Sequence, residues 1–145
     1  TAGLLFIADR IGKHTREMRQ MGWIDALVFG IFQAISILPG VSRSGATIAG
    51  GLFRGFDRRS AARFSFLMSV PIMLAAGLLA GLDLVQMPNL SAVLPIVAVG
   101  FVAAAVVGYL SIHWLLSYLQ KRSLSIFAIY CVAASALTLV VAWIR

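Results

Sequence analysis

The residues best suited to chemistry lie in one run, Pro39-Gly40-Val41-Ser42-Arg43-Ser44-Gly45-Ala46-Thr47. Pro39 ends an incoming helix, and Gly40 permits backbone angles that a side chain would forbid, so the residues after it can be presented on an exposed turn. A second helix is expected to begin at about Ser44, bringing unpaired backbone N–H groups and the positive end of its dipole to that turn. Arg43 adds a permanent charge and a planar fork of donors that suits two phosphate oxygens, and the hydroxyls of Ser42, Ser44 and Thr47 can donate further bonds. All of this favours an anion, with Gly40 and Gly45 as further candidate substrate-binding positions. An architectural reading stays open beside it: Arg43 capping carbonyls or pairing with a neighbouring carboxylate, and the serines only capping a helix. Gln33, two turns before the proline, and Ser36 can line the same cavity or bond between helices.

Phosphate transfer needs more than a clamp. It also takes a nucleophile or activated water and a general acid or base, yet no His, Asp or Glu lies within the motif. The proton-transfer group must come from elsewhere. Asp25 suits the first turn of its helix, and Asp57 with Arg58, Arg59 and Arg63 reads as an interfacial charge cluster. His113 reads as a packed or interfacial residue, Trp143 and Arg145 as interface anchors. Glu17, the only glutamate, lies in a basic loop. Cys131 stands alone in an apolar run, so no intrachain disulfide forms and the residue is assigned to packing.

The elements that must hold this motif are membrane elements. The 145 residues are 61% hydrophobic and 12% charged, about half the charge of an ordinary soluble domain, with a mean hydropathy of +0.96. Too little polar surface remains to cover a soluble particle, so soluble folds are excluded. The formal net charge of +7 sits in short loops between apolar runs, which fits membrane topology and not nucleic acid. No secretory signal pattern is visible at the start. Residues 1–8 read as the closing turns of a helix, and the chain is expected to be a C-terminal fragment forming one membrane domain over residues 1–145.

Three apolar runs, 64–82, 92–119 and 124–144, each reach roughly 28 Å or more as helix and can span. Two shorter runs, 23–38 and 46–56, reach only about 24 and 16 Å. Basic residues cluster in 9–22, 57–63 and 120–123, whereas 83–91 has no Lys or Arg. The basic loops are therefore placed in the cytoplasm. Both ends of the 23–56 region then lie on one side, which predicts a re-entrant helix hairpin turning at 39–45. One bent span across the region is the alternative. Backbone turning at membrane depth must be buried or line a wet cavity. Small residues four apart, Gly51 and Gly55, Gly77 and Gly81, and Gly100, Ala104 and Gly108, suit close helix packing or are ordinary glycine use in membrane helices. Pro71 and Pro95 mark either kinks or first-turn positions. The fold class expected is an all-α membrane protein, a transmembrane helix bundle with a re-entrant hairpin.

The run Gln33-Ala34-Ile35-Ser36-Ile37-Leu38-Pro39-Gly40-Val41-Ser42-Arg43-Ser44-Gly45-Ala46-Thr47, followed by Gly55-Phe56-Asp57-Arg58 and Ala61-Ala62-Arg63-Phe64-Ser65-Phe66, resembles the undecaprenyl-pyrophosphate phosphatase family, also called the bacitracin-resistance family. These stretches cover about a quarter of the chain, and the apolar spans fit the family's C-terminal half. The resemblance implies a multi-pass enzyme of the bacterial inner membrane that removes the terminal phosphate of undecaprenyl diphosphate, recycling the carrier lipid for peptidoglycan synthesis. It also implies two inverted repeats, each giving a re-entrant hairpin to one central site, and a divalent cation, Mg2+ or Ca2+, whose ligands are unknown. By that likeness Arg43 holds the diphosphate, Ser42 and Thr47 support it, and Ser44 is a weaker candidate. Gln33 takes the place where the other repeat carries the first residue of an acidic pair. The family's first motif, paired glutamates and a following histidine, has no counterpart in this sequence. An N-terminal repeat is accordingly expected as a missing partner, and a homodimer is left open.

A membrane transporter of an anionic or lipid-phosphate substrate is the rival reading, because secondary carriers also hold anions at helix ends in mid-membrane. A non-catalytic membrane assembly subunit is a third.

Overall fold

The computed structural model describes residues 1–120 and 122–144; Lys121 of the basic loop and the expected anchor Arg145 lie outside the described residues. Six helices follow one another among them: α1 (Ala2–Ile11), α2 (Trp23–Ile35), α3 (Arg43–Phe53), α4 (Arg58–Val85), α5 (Leu90–Tyr118) and α6 (Ser125–Ile144), with a short 3-10 turn at Met18–Gln20. Helices α4, α5 and α6 are each long and apolar enough to cross a membrane, and the molecule is an all-α membrane helix bundle.

Local sequence sets the helix starts. Asp25 accepts the Gly22 N–H at 2.9 Å in the first turn of α2. Ser42 caps α3 by accepting from the Gly45 N–H at 3.3 Å, and Asp57 caps α4 through the Ser60 N–H at 2.9 Å. Two boundaries differ from the sequence expectation. The incoming helix closes at Ile35, before Pro39, and unwinds through tighter bonds from Ser36, Ile37 and Leu38 N–H groups to carbonyls three residues back. The residue preceding a proline is driven out of the helical region, so α2 cannot continue to its edge. The second helix begins at Arg43, with Ser42 as its cap, ahead of the expected start at about Ser44. Pro71 and Pro95 both lie in helix interiors, beyond the first turn, which removes the first-turn reading.

Helices α2 and α3 run antiparallel. Phe29 lies against Gly51, Phe32 against Gly50, and Asp25 bonds Arg54. A Cβ on Gly51 would stand 2.5 Å from Phe29 Cζ and 2.8 Å from the Ala61 Cβ, so this glycine is what lets α2, α3 and α4 converge. Gly55, paired with it by spacing, lies past the end of α3 and turns the chain with φ +80°. The remaining small-residue stripes behave differently: added Cβ atoms on Gly77, Gly81, Gly100 and Gly108 would meet nothing within 4 Å.

The core sits at the hairpin end of the bundle. Phe29 and Phe56 are fully buried, and Phe29 meets Phe64 edge-on at 4.6 Å between ring centroids. Leu5, Ile48, Leu52, Leu119 and Leu124 complete the cluster. By contrast α5 has no buried residue among those described. His113 stacks on Tyr109 along its exposed surface, outside the core and the motif.

The segments carrying the basic loops meet on one side of this core. The Thr15 and Arg16 N–H groups both donate to the Gly55 carbonyl at 3.0 Å, the Asp57 N–H donates to the Arg16 carbonyl at 2.9 Å, and the Met18 N–H donates to Ser60 Oγ at 3.1 Å. Gln120 lines a cavity with Met18, Asp57 and Ser60.

Candidate functional site

The turn between α2 and α3 has a defined shape. Gly40 adopts φ +86°, a left-handed conformation that costs a residue with a Cβ about 1–2 kcal/mol. Thr1 holds the loop from outside: its Oγ1 accepts the Ser42 N–H at 2.8 Å and donates to the Gly40 carbonyl at 3.4 Å. The Thr1 methyl also explains Gly45, where a Cβ would stand 2.5 Å from Thr1 Cγ2.

Arg43 opens α3, half-buried, and among the described residues it pairs with no carboxylate and caps no carbonyl. The backbone N–H groups of Arg43 and Ser44 likewise donate to no protein acceptor. Ser42 Oγ and Ser44 Oγ stand 3.4 Å apart at the exposed edge of the turn. One fixed cation, two free N–H donors at a helix start and two hydroxyls thus share a single elbow. Beside it lies a cleft of about 640 Å3 lined by Gly40, Ser42, Thr1 and, from α6, Tyr130, Ser135 and Leu139.

Thr47 is placed differently from the serines. Its side chain is buried, and its hydroxyl bonds the Arg43 carbonyl at 2.9 Å, the Ser44 carbonyl at 3.1 Å and Ser65 Oγ on α4. It fastens the first turn of α3 to α4 and does not reach into the cleft. Gln33 is half-buried one turn beyond Phe29 on the same face of α2, and its amide makes no bond among the described residues. Ser36 folds back onto the Gln33 carbonyl at 2.6 Å and is spent there.

Asp25 and Asp9 are committed to arginines away from the turn, and Asp57, ten residues past Thr47, caps α4 by accepting the Ser60 N–H at 2.9 Å. Asp25, 2% exposed, takes Arg16 Nη2 on one oxygen at 2.7 Å and Arg54 Nε on the other at 2.7 Å. The bond from Arg16, assisted by the Gly22 N–H and Arg54 against the opposing effect of burial, holds the Asp25 carboxyl well below the usual carboxylate range. Asp9 pairs with Arg58 at 2.6 Å. Neither can serve the turn as a proton carrier. Among the described residues no three His, Cys, Asp or Glu side chains converge to hold a metal ion, so this chain's own donors do not fit a divalent-cation cage.

A family model described as Bacitracin resistance protein BacA matches residues 1–137. The chain belongs to this family. Among its curated relatives, proteins named undecaprenyl-diphosphatase from Moorella thermoacetica, Gloeobacter violaceus and Synechocystis sp. are 45%, 46% and 46% identical to it. The matches cover 97%, 89% and 88% of this BacA-family chain but 52%, 44% and 39% of the relatives. The chain thus spans about half the length of the curated relatives it matches. With three apolar helices and this family, it is a multi-pass protein of the bacterial inner membrane.

Four contributors were not singled out from sequence. Ser65 sits in the Phe-Ser-Phe run, but nothing in its spacing announces a bond to Thr47, eighteen residues away. Thr1 lies far along the chain from the turn it pins. The Arg16 and Arg54 partners of Asp25 carried a weak signal only, as cations flanking a helix that starts with a carboxylate.

Proposed function

We propose that this chain is the phosphate-binding half of an undecaprenyl-diphosphatase, which hydrolyses the C55 isoprenyl diphosphate to the monophosphate and inorganic phosphate and so returns carrier lipid to peptidoglycan synthesis. The observation that carries the reading is the elbow itself: Arg43 without a carboxylate partner, beside the unsatisfied N–H groups of Arg43 and Ser44. The names of the relatives supply the reaction class.

In this reading the hairpin enters the membrane from the cytoplasmic side and turns within it, and the lipid headgroup settles on the elbow. Arg43 neutralises charge on the phosphoryl oxygens while the helix start and the Ser42 and Ser44 hydroxyls orient them. Gly40 keeps the backbone close to the ligand, while Gly45 makes room for the Thr1 side chain that pins the turn. Thr47, through Ser65, fixes the direction in which α3 presents Arg43. Gln33 offers an uncommitted amide from the facing helix. The acid, the base and the ligands of a divalent cation come from the other repeat: the motif holds no His, Asp or Glu, Asp25, Asp9 and Glu17 are paired with arginines, and Asp57 caps α4.

Arg43→Ala in the full-length protein tests this. Loss of one anion-stabilising donor typically costs about 10²–10³ in turnover, so phosphate release from undecaprenyl diphosphate in detergent should fall by at least that order. Near-normal hydrolysis would remove Arg43 from the mechanism. Lipid flux across vesicles without phosphate release would replace the enzyme with a carrier.

A further inference from the structure

The basic loops enclose a second cavity, of about 590 Å3, that the hairpin turn does not use. Arg19 on the loop, Arg59, Ser60 and Arg63 on the first turns of α4, and Leu119 after α5 form its walls. Several charges around it are already matched. Arg58 is taken by Asp9 at 2.6 Å and Arg19 by Glu17 at 3.2 Å, while an oxygen of Asp57 is turned onto the Ser60 N–H. Three groups are exceptions among the described residues: the Asp57 carboxylate pairs with no cation, and Arg59 and Arg63, both exposed, pair with no carboxylate, which leaves one positive charge in excess. Four residues apart on one helix face, the two arginines repel each other unless an anion lies between them. The N–H groups of Arg58 and Arg59, at the start of a 28-residue helix, also lack protein acceptors and add a field of the same sign.

The depth of the cavity narrows the choice of anion. Phe64 follows Arg63 directly, Leu67 is exposed one turn further into α4, and Leu119 closes the α5 span. The two arginines therefore stand where the apolar spans leave the hydrocarbon, at the level of lipid headgroups. Planar guanidinium forks suit phosphate oxygens, and basic pockets between spans on the cytoplasmic side are recurrent sites for anionic lipids. We propose that this cavity binds the phosphate of an anionic phospholipid through Arg59 and Arg63, separately from the elbow at Arg43. Free phosphate shares the same chemistry, but the exposed Leu67 one turn inward offers a contact that only a ligand with an acyl chain can use.

Native mass spectrometry of the full-length protein in neutral detergent, titrated with phosphatidylglycerol, phosphatidylcholine or inorganic phosphate, tests the assignment. Phosphatidylglycerol should bind more tightly than phosphatidylcholine, and R59Q/R63Q should weaken it about 25-fold, from roughly fivefold per arginine near an anionic surface. R59K/R63K should keep most of the preference, and each single glutamine variant should lose part of it. Both side chains are exposed and unpaired, so the variants should melt like the parent in lipid-free detergent. Equal phosphatidylglycerol binding by the parent and R59Q/R63Q would overturn the proposal. Displacement of the lipid by millimolar inorganic phosphate would overturn it too, by assigning the cavity to a soluble anion.

Discussion

Arg54, the residue that closes α3, donates its Nε–H to Asp25 in the first turn of α2 at 2.7 Å. The bond joins the two ends of the hairpin that lie farthest from its turn, and Arg16 ties the pair to the preceding loop at 2.7 Å while lying over the Phe56 ring at 4.4 Å. Asp25→Asn keeps the shape and removes the charge. Breaking a fully buried ion pair costs about 3–5 kcal/mol. Because the Arg16 and Arg54 side chains are 31% and 39% exposed, a loss of about 2 kcal/mol is expected, read as a lower Tm in detergent. An unchanged Tm would show that the clamp is ornamental.

The same carboxylate fixes a direction for pH dependence. Its folded pKa lies below the unfolded value of about 4, so its contribution is complete above that value and is lost as pH falls below it toward the depressed folded pKa. Thermal unfolding of the parent should therefore steepen in its pH dependence below about pH 4, and Asp25→Asn should flatten that slope. Parallel profiles for the two proteins would contradict the assignment.

Glycine positions that look alike in sequence should respond in opposite ways. Gly51→Ala forces a Cβ to within 2.5 Å of Phe29 Cζ and 2.8 Å of the Ala61 Cβ, an overpacking expected to cost about 1–3 kcal/mol. Gly77→Ala meets no atom within 4 Å and should gain up to about 1 kcal/mol of helix propensity. Denaturation of the two variants side by side decides the matter; equal effects would mean the contact at Gly51 is not tight.

The Thr47 and Ser65 hydroxyls should be coupled. Thr47→Val or Ser65→Ala alone strands a buried polar group, a cost of about 1–3 kcal/mol, whereas the double variant should lose less than the sum. Turnover should drop less than for Arg43→Ala, since both hydroxyls are buried between α3 and α4 and neither is presented at the elbow. A Thr47→Val effect on hydrolysis as large as that of Arg43→Ala would place the hydroxyl in contact with substrate.

Much of this was legible in the residues. Apolar length located the spans that became α4, α5 and α6, because a run with no charge has few alternatives in lipid. Gly40 declared its left-handed turn, and Ser42 takes the capping role left open for the serines, whereas the cap that Asp57 gives α4 was read only as part of a charge cluster. What stayed hidden depends on contacts distant in sequence. The Arg16, Asp25 and Arg54 clamp unites three separate segments, and Thr1 and Ser65 reach the motif from 41 and 18 residues away. Helix ends near Pro39 were hidden for a subtler reason: a proline excludes helix before itself without saying how far back the last turn unwinds.

The hydroxyl of Thr1 makes the elbow answer to a helix that is not part of the hairpin. Since that one group grips both the Gly40 carbonyl and the Ser42 N–H, a slight rotation of α1 about its own axis would release both at once. The proposed grip on a phosphate would then be a latch whose catch is mounted on α1, and whatever leans on that helix would acquire leverage over the ligand.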